Sequence, residues 1–104
     1  MAKFVLAYHG GGIAETEEEQ AEVMAAWGAW MEGLGSALKD PGNPSGASKN
    51  IAADGSVSDG GGANPVTGYS ILEAGSLDDA VTLAKSNPVF ASGGSIEVIE
   101  AIEM

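Results

Sequence analysis

The chain has 104 residues, which suits a single domain over residues 1–104 and leaves little room for a second. Fifteen acidic residues against four lysines give a net charge of -11, so the surface repels phosphate backbones and no nucleic-acid partner is expected. With no cysteine for disulfides, and no apolar run near the roughly 20 residues that cross a bilayer, we expect a soluble cytoplasmic protein without a membrane partner.

The first predicted element is a strand in "FVLAYHGGG", residues 4–12, which holds the only histidine. The run before His9 is apolar on both faces, as in strands that are covered on both sides. His9 follows it at the edge of a glycine loop, a common place for binding and catalytic residues. Because imidazole exchanges protons near neutral pH, His9 is a candidate acid or base. The alternative is that His9 only ends the strand and bonds backbone or water.

A helix is predicted next, over residues 17–39. Thr16 and Glu19 fit a capping box at its start, and Pro41 prevents it from continuing. Trp30 lies on the flank of the apolar stripe, where it either closes a pocket or meets a partner subunit. The stripe consists of Met24, Trp27, Met31, Leu34 and Leu38, with Val23 beside it.

Residues 40–68 are rich in Gly, Pro, Ser and Asn, and loops of this length are usually functional or mobile. Within them, "ASKNIAA" and "SVS" are predicted to pair as short strands around the turn at Asp54 and Gly55. Asp59 follows the second of these strands. Aspartate before glycine commonly bonds its own backbone in a turn, so a turn role for Asp59 stands beside any role in a site.

The remaining chain predicts a strand in "GYSILEA", a helix over about 77–86 that is capped by Ser76, and a closing strand in "SIEVIEAIEM". The order β-α-β-β-α-β predicts an α+β fold of the ferredoxin-like type, with an antiparallel sheet and both helices on one face. Since the first strand is apolar on both faces, the second face needs cover. The sheet of another copy is the simplest candidate, so we expect a homodimer.

The other polar and aromatic residues, and the glycine runs, give little indication of a metal, anion or ligand site. One histidine and scattered carboxylates give no metal-ligand spacing, and we expect neither a metal nor a cofactor. The glycine runs 10–12 and 60–62 lack phosphate-loop spacing and are interpreted as flexible connections. Tyr8 and Tyr69 lie near strand ends, where they either pack in the core or dimer interface or line a pocket with their hydroxyl groups.

Several short motifs, in order, resemble the YCII-related domain family and its DGPF-motif branch. They are "FVLAYHG", "DGSVSDGG" before "GYSILEA", "SLDDAVTLAKSNPV" and "IEVIE", which together span nearly the whole chain. Asp59 and Gly60 match the first two positions of the DGPF motif, whereas Gly61 and Gly62 replace its proline and phenylalanine.

The resemblance implies a dimeric α+β barrel, in which two ferredoxin-like units join sheet to sheet. It also implies a catalytic His-Asp pair in a cleft, here His9 and Asp59. We expect this cleft to bind a small organic molecule, and from their positions in the sequence we expect Tyr8, Tyr69 and Trp30 to be substrate-binding residues. Acid/base chemistry of an isomerase or lyase type, without a cofactor, is one expectation. A non-catalytic ligand-binding protein, or an accessory protein that works by interaction alone, is the other, because the motif is altered and fold does not carry function.

Overall fold

The computed structural model describes residues 2–11, 15–60 and 62–103, and within these ranges the chain forms six strands, two α-helices and two short 3-10 helices. The strands are β1 (Ala2–His9), β2 (Leu38–Asp40), β3 (Lys49–Ile51), β4 (Val57–Asp59), β5 (Val66–Ala74) and β6 (Ser95–Ala101). The α-helices are α1 (Glu17–Leu34) and α2 (Leu77–Ala84), each followed by a 3-10 helix, at Gly35–Ala37 and Pro88–Ser92. Among the described residues, no helix has the length and hydropathy needed to cross a membrane.

Four of the strands form an antiparallel sheet in the order β2-β5-β1-β6. One face of this sheet carries Leu6, Tyr8 and Leu72, which pack with Trp30 of α1 and Ala84 of α2, so both helices cover the same face. The architecture is therefore α+β and compatible with a ferredoxin-like fold, as the sequence predicts.

The helix α1 begins as predicted but ends earlier. The Thr16 hydroxyl accepts a hydrogen bond from the backbone N–H of Glu19 at 3.1 Å, which confirms the N-terminal cap. The predicted end at residue 39 is wrong, because the helix stops at Leu34. Gly35 follows with φ at 56°, in the left-handed region that glycine adopts at little cost. The prediction failed because Leu38 continues the helical spacing while packing against the same core from strand β2.

The buried side of α1 matches most of the predicted stripe, because Trp27, Met31 and Leu34 pack against the core, and Met24 is the exception. Trp30 is the buried residue of this helix, with only 6% of its surface exposed, whereas Met24 is 74% exposed. The rings of Trp27 and Tyr8 meet edge to face, with centroids 5.2 Å apart. The helix therefore faces the sheet through its second half, and its first turns extend beyond the core.

The predicted hairpin around Asp54 and Gly55 is confirmed as strands β3 and β4, which pair antiparallel apart from the main sheet. The Asp54 carboxylate accepts the backbone N–H of Ser56 at 2.8 Å, and hydrogen bonds from Ser56 lower the pKa of Asp54. Gly55 takes the positive φ of 89° that the turn requires. Both hairpin strands are exposed along their length, so this unit contributes little to the core.

The second helix runs from Leu77 to Ala84, two residues shorter than predicted, and its Ser76 cap is confirmed by a 3.1 Å bond from the backbone N–H of Asp79. The side chain of Asn87 accepts the backbone N–H of Val89 at 2.8 Å and starts the 3-10 helix that follows. This helix leads into the closing strand, β6.

Candidate functional site

The face of the four-stranded sheet opposite the helices has an apolar centre, and the two helices pack on the other face. On β1, the side chains that alternate with the buried ones point to this side. Directly opposed residues of antiparallel strands share a face, so the pairs Ala7↔Tyr69 and Val5↔Ile71 extend it onto β5, and Val5↔Ile99 onto β6. We call this surface the open face; its residues are Val5, Ala7, His9, Tyr69, Ile71, Glu97 and Ile99.

His9 lies at one end of the open face with its ring held by two partners. Its Nδ1 is 3.0 Å from the carbonyl oxygen of Asn64. A carbonyl oxygen only accepts hydrogen bonds, so this contact assigns the ring proton to Nδ1. In the neutral ring, Nε2 then carries the free lone pair, and it lies 3.8 Å from a carboxylate oxygen of Glu97. The arrangement presents a basic nitrogen beside a carboxylate at the edge of an apolar surface.

The position of the His9 ring is supported by the chain that follows it. The Thr67 hydroxyl donates to the carbonyl oxygen of Gly10 at 3.0 Å, which ties the end of β1 to β5. Only 13% of the His9 side chain is exposed, against 67% for Glu97. The imidazole is thus well fixed, while the carboxylate that faces it is accessible to water and to a ligand.

The Asp59 side chain has a different partner from the one expected. It is 89% exposed and forms an ion pair with Lys49 across the β3–β4 hairpin. The polar partners of the His9 ring within the described residues are Asn64 and Glu97. The single chain therefore shows no bonded His9–Asp59 pair among those residues, and Glu97 holds the carboxylate position that the sequence analysis gave to Asp59.

The two tyrosines lie on opposite faces of the sheet. Tyr69 is 37% exposed on the open face, whereas Tyr8 is 5% exposed beneath the helices. The Tyr8 hydroxyl donates to the Ser70 hydroxyl at 2.7 Å and accepts from the Asn87 amide at 3.4 Å. Ser70 in turn donates to the carbonyl oxygen of Pro41 at 2.8 Å. Tyr8 is thus part of a buried polar network, and only Tyr69 shares a surface with His9.

This network predicts a loss of stability at high pH. Burial favours the neutral phenol and raises the pKa of Tyr8, although the bonds with Ser70 and Asn87 act in the opposite direction. A raised folded-state pKa means that the stabilisation is complete below the unfolded-state value of about 10 and is lost as the pH rises through the folded-state value. We expect urea unfolding to show this loss in the wild type and not in Tyr8→Phe.

Two further results are expected, one for Tyr8→Phe at neutral pH and one for a control variant, Tyr69→Phe. Tyr8→Phe should lower the free energy of unfolding at neutral pH by about 1–2 kcal/mol, since Asn87 loses a buried partner. Tyr69→Phe, which alters the exposed tyrosine, should keep the wild-type pH profile. An alkaline loss that is unchanged in Tyr8→Phe would assign it to other groups.

Two cavities lie on the helix side of the molecule, away from His9. One, of about 340 Å³, lies between α1 and α2 and is lined by Trp30, whose indole N–H donates to the carbonyl oxygen of Leu83 at 3.1 Å. The other, of about 260 Å³, lies between α2 and β6. Neither of these two cavities is lined by His9, Asp59, Tyr8 or Tyr69. Trp30 therefore lies apart from His9 and Tyr69, although it packs with Tyr8 in the core.

Metal-ligating residues and the two glycine runs are the other features considered from the sequence. The described residues contain no group of three or more His, Asp or Glu side chains placed to hold a metal ion. Gly12 and Gly61, which belong to the two glycine runs, lie outside the described residues. His9 and Glu97 are two ionisable side chains of the open face that lie close together, with His9 Nε2 3.8 Å from a carboxylate oxygen of Glu97.

The comparisons with known proteins leave this geometry as the main guide to function. No family model matches the chain, and no curated protein matches it.

Proposed function

We propose that the protein binds a small organic molecule on the open face of its sheet, between two copies of the chain, with His9 as the group that exchanges a proton. One observation carries the proposal. The Asn64 carbonyl fixes the proton on Nδ1 of His9 and leaves Nε2 free beside Glu97. A fixed tautomer with a free basic nitrogen is what general acid/base chemistry requires of histidine.

The second copy is part of the proposal because the open face is apolar. Tyr69 is 37% exposed and Ile99 42% exposed in the single chain. Burying such side chains against the same surface of another copy stabilises association by about 25 cal/mol for each Å² of apolar surface removed from water. This arrangement would be the dimeric barrel that the YCII-like motifs suggest, with its interior formed by two open faces.

The chemistry proposed for the site is a proton transfer without a cofactor. Nε2 of His9 takes a proton from one atom of the ligand and returns it to another, so that an isomerisation leaves the enzyme unchanged. Glu97 stabilises the positively charged ring that exists between the two steps. Tyr69, two residues away across the β1–β5 pairing, positions the ligand with its hydroxyl.

A non-catalytic ligand-binding protein is the second candidate. The observation that favours it is the exposure of Glu97, 67% in the single chain, because water at the site weakens the electrostatic help that a carboxylate gives to a charged imidazole.

The experiment is an NMR titration of the single histidine with pooled organic acids and ketones. We expect the ring signals of His9 to shift on addition of a binding ligand, and His9→Ala to abolish turnover of that ligand while sedimentation still shows a dimer. Glu97→Gln should retain binding and slow turnover by about tenfold or more. A shift without any turnover would select the binding function. The proposal would be contradicted if the His9 ring signals stayed unchanged with every compound tested, or if the protein were a monomer in solution.

A further inference from the structure

Strand β6 is an exposed edge of the main sheet and is built differently from the other edge. The opposite edge, β2, has three residues, an irregular register with β5 and a proline directly after it at Pro41. Such features block the addition of another strand. In contrast, β6 has seven residues without proline, and its pairing with β1 runs regularly from Lys3↔Ala101 to His9↔Ser95. It therefore offers a full row of backbone groups to an added strand.

An apolar groove runs beside this edge on the helix side. It is the cavity of about 260 Å³ between α2 and β6. Two of its side chains are unusually exposed for their type, Leu77 at 46% and Phe90 at 44%. On the other side of the sheet, Ile99 of β6 is 42% exposed. A strand added to β6 would bury apolar surface on both of its faces. The groove is lined by Leu77, Val81, Ala84, Lys85, Phe90, Ile96 and Val98.

The charges on β6 indicate what kind of strand fits. Glu97 and Glu100 are both exposed, and β6 contains no basic residue. Pairing β6 with the β6 of another copy would place the carboxylates of both strands along one short ribbon, on chains that each carry a net charge of -11. A basic strand avoids this repulsion. The groove itself has Lys85 on its wall, so it suits apolar side chains rather than basic ones.

We infer that the β6 edge binds an extended, basic peptide segment of another protein by adding it as a fifth strand to the sheet. Backbone hydrogen bonds to β6 supply the affinity, and alternate side chains supply the specificity. The side chains on the helix side are apolar and enter the groove. Those on the open-face side are lysine or arginine and lie beside Glu97. This interaction needs no proton transfer, although it shares Glu97 with the site proposed around His9.

The first test uses a capped heptapeptide in which valine and lysine alternate, titrated into isotope-labelled protein. We expect the backbone amide signals of residues 95–101 to shift and affinity to fall as salt is raised. A peptide of the same composition with its valines and lysines in separate blocks should bind at least about fivefold more weakly, and so should one with glutamate in place of lysine. A fourth peptide, N-methylated at alternate residues, loses one row of donors and should fail to bind.

Protein variants locate the same interaction. Leu77→Gln removes an apolar side chain from the groove at an exposed helix position and should weaken the alternating peptide by about threefold or more. Glu97→Gln should weaken it as well, because Glu97 lies on the same side of β6 as the lysines of the peptide. Met24→Gln, at a 74% exposed position of α1 away from the groove, is the matched control and should leave affinity unchanged.

Three results would overturn the inference. Equal affinity for the alternating and block peptides would show that charge alone attracts them. Shifts confined to residues outside β6 would place the peptide elsewhere. Protection of the β6 amides by self-association, without peptide, would make a second copy the occupant. The titration of His9 with small organic molecules is made without peptide, so failure of the peptide to bind leaves the proposed function untouched.

Discussion

Replacing Gly42 by alanine is expected to lower the free energy of unfolding by about 3 kcal/mol or more. Gly42 has φ at 74°, and a Cβ atom added there would overlap the backbone carbonyl oxygen of Tyr69. The segment is tied on both sides of this contact. The backbone N–H of Gly42 donates to Asp40 at 2.8 Å, and that of Tyr69 donates to the carbonyl of Asn43 at 3.3 Å. Relief of the overlap therefore requires a shift of β5 itself.

The matched control is Gly46→Ala, four residues further along the same segment. No atom lies within 4 Å of a Cβ placed on Gly46. We expect this change to alter the free energy of unfolding by less than about 1 kcal/mol. Urea unfolding followed by tryptophan fluorescence measures both variants. Equal stability of the two would mean that residues 41–45 do not pack on Tyr69 in solution. Because Tyr69 lies on the open face, Gly42→Ala should also disturb ligand binding there.

The fold could be predicted from the sequence wherever a capping or turn residue and the hydrophobic periodicity of the neighbouring segment indicate the same element. Thr16 and Ser76 mark both helix starts, and the turn at Asp54 and Gly55 marks the hairpin, because caps and turns depend on neighbours in the chain. Strand β2 was missed because three residues are too few to show a period of two, and because Leu38 continues the spacing of α1. Gly35 was the available signal for the earlier helix end.

The candidate site was less predictable because its partners are brought together by pairing between distant segments. The strand-end position of His9 follows from local sequence. Its contacts with Asn64 and Glu97 depend on the β1–β5 and β1–β6 registers, which cannot be read from a single strand. The motif resemblance gave Asp59 as the partner, but Lys49 is its neighbour across the hairpin. The signal for Glu97 was a charged residue between Ile96 and Val98 in the closing strand.

The second large effect is expected for Trp30→Ala, which should lower the free energy of unfolding by about 3–5 kcal/mol. Trp30 is 6% exposed and packs with Leu6, Tyr8 and Leu72 at the centre of the core. Its ring also meets that of Trp27 edge to face, with centroids 5.8 Å apart. Truncation would remove these contacts and open a cavity continuous with the one between the two helices. Met24→Ala, at a 74% exposed position of the same helix, should cost less than about 1 kcal/mol.

Trp30→Phe separates a core role from a ligand-binding role. Phenylalanine keeps most of the packing but leaves the Leu83 carbonyl without the indole N–H, so a core role predicts an intermediate loss of about 1–3 kcal/mol. If Trp30 instead closes a ligand pocket, Trp30→Phe should leave urea unfolding nearly unchanged and weaken the ligand that shifts the His9 signals. Since Trp30 and His9 lie on opposite sides of the sheet, we expect loss of stability with unchanged ligand affinity. The opposite result would move the ligand from the open face to the cavity between the helices.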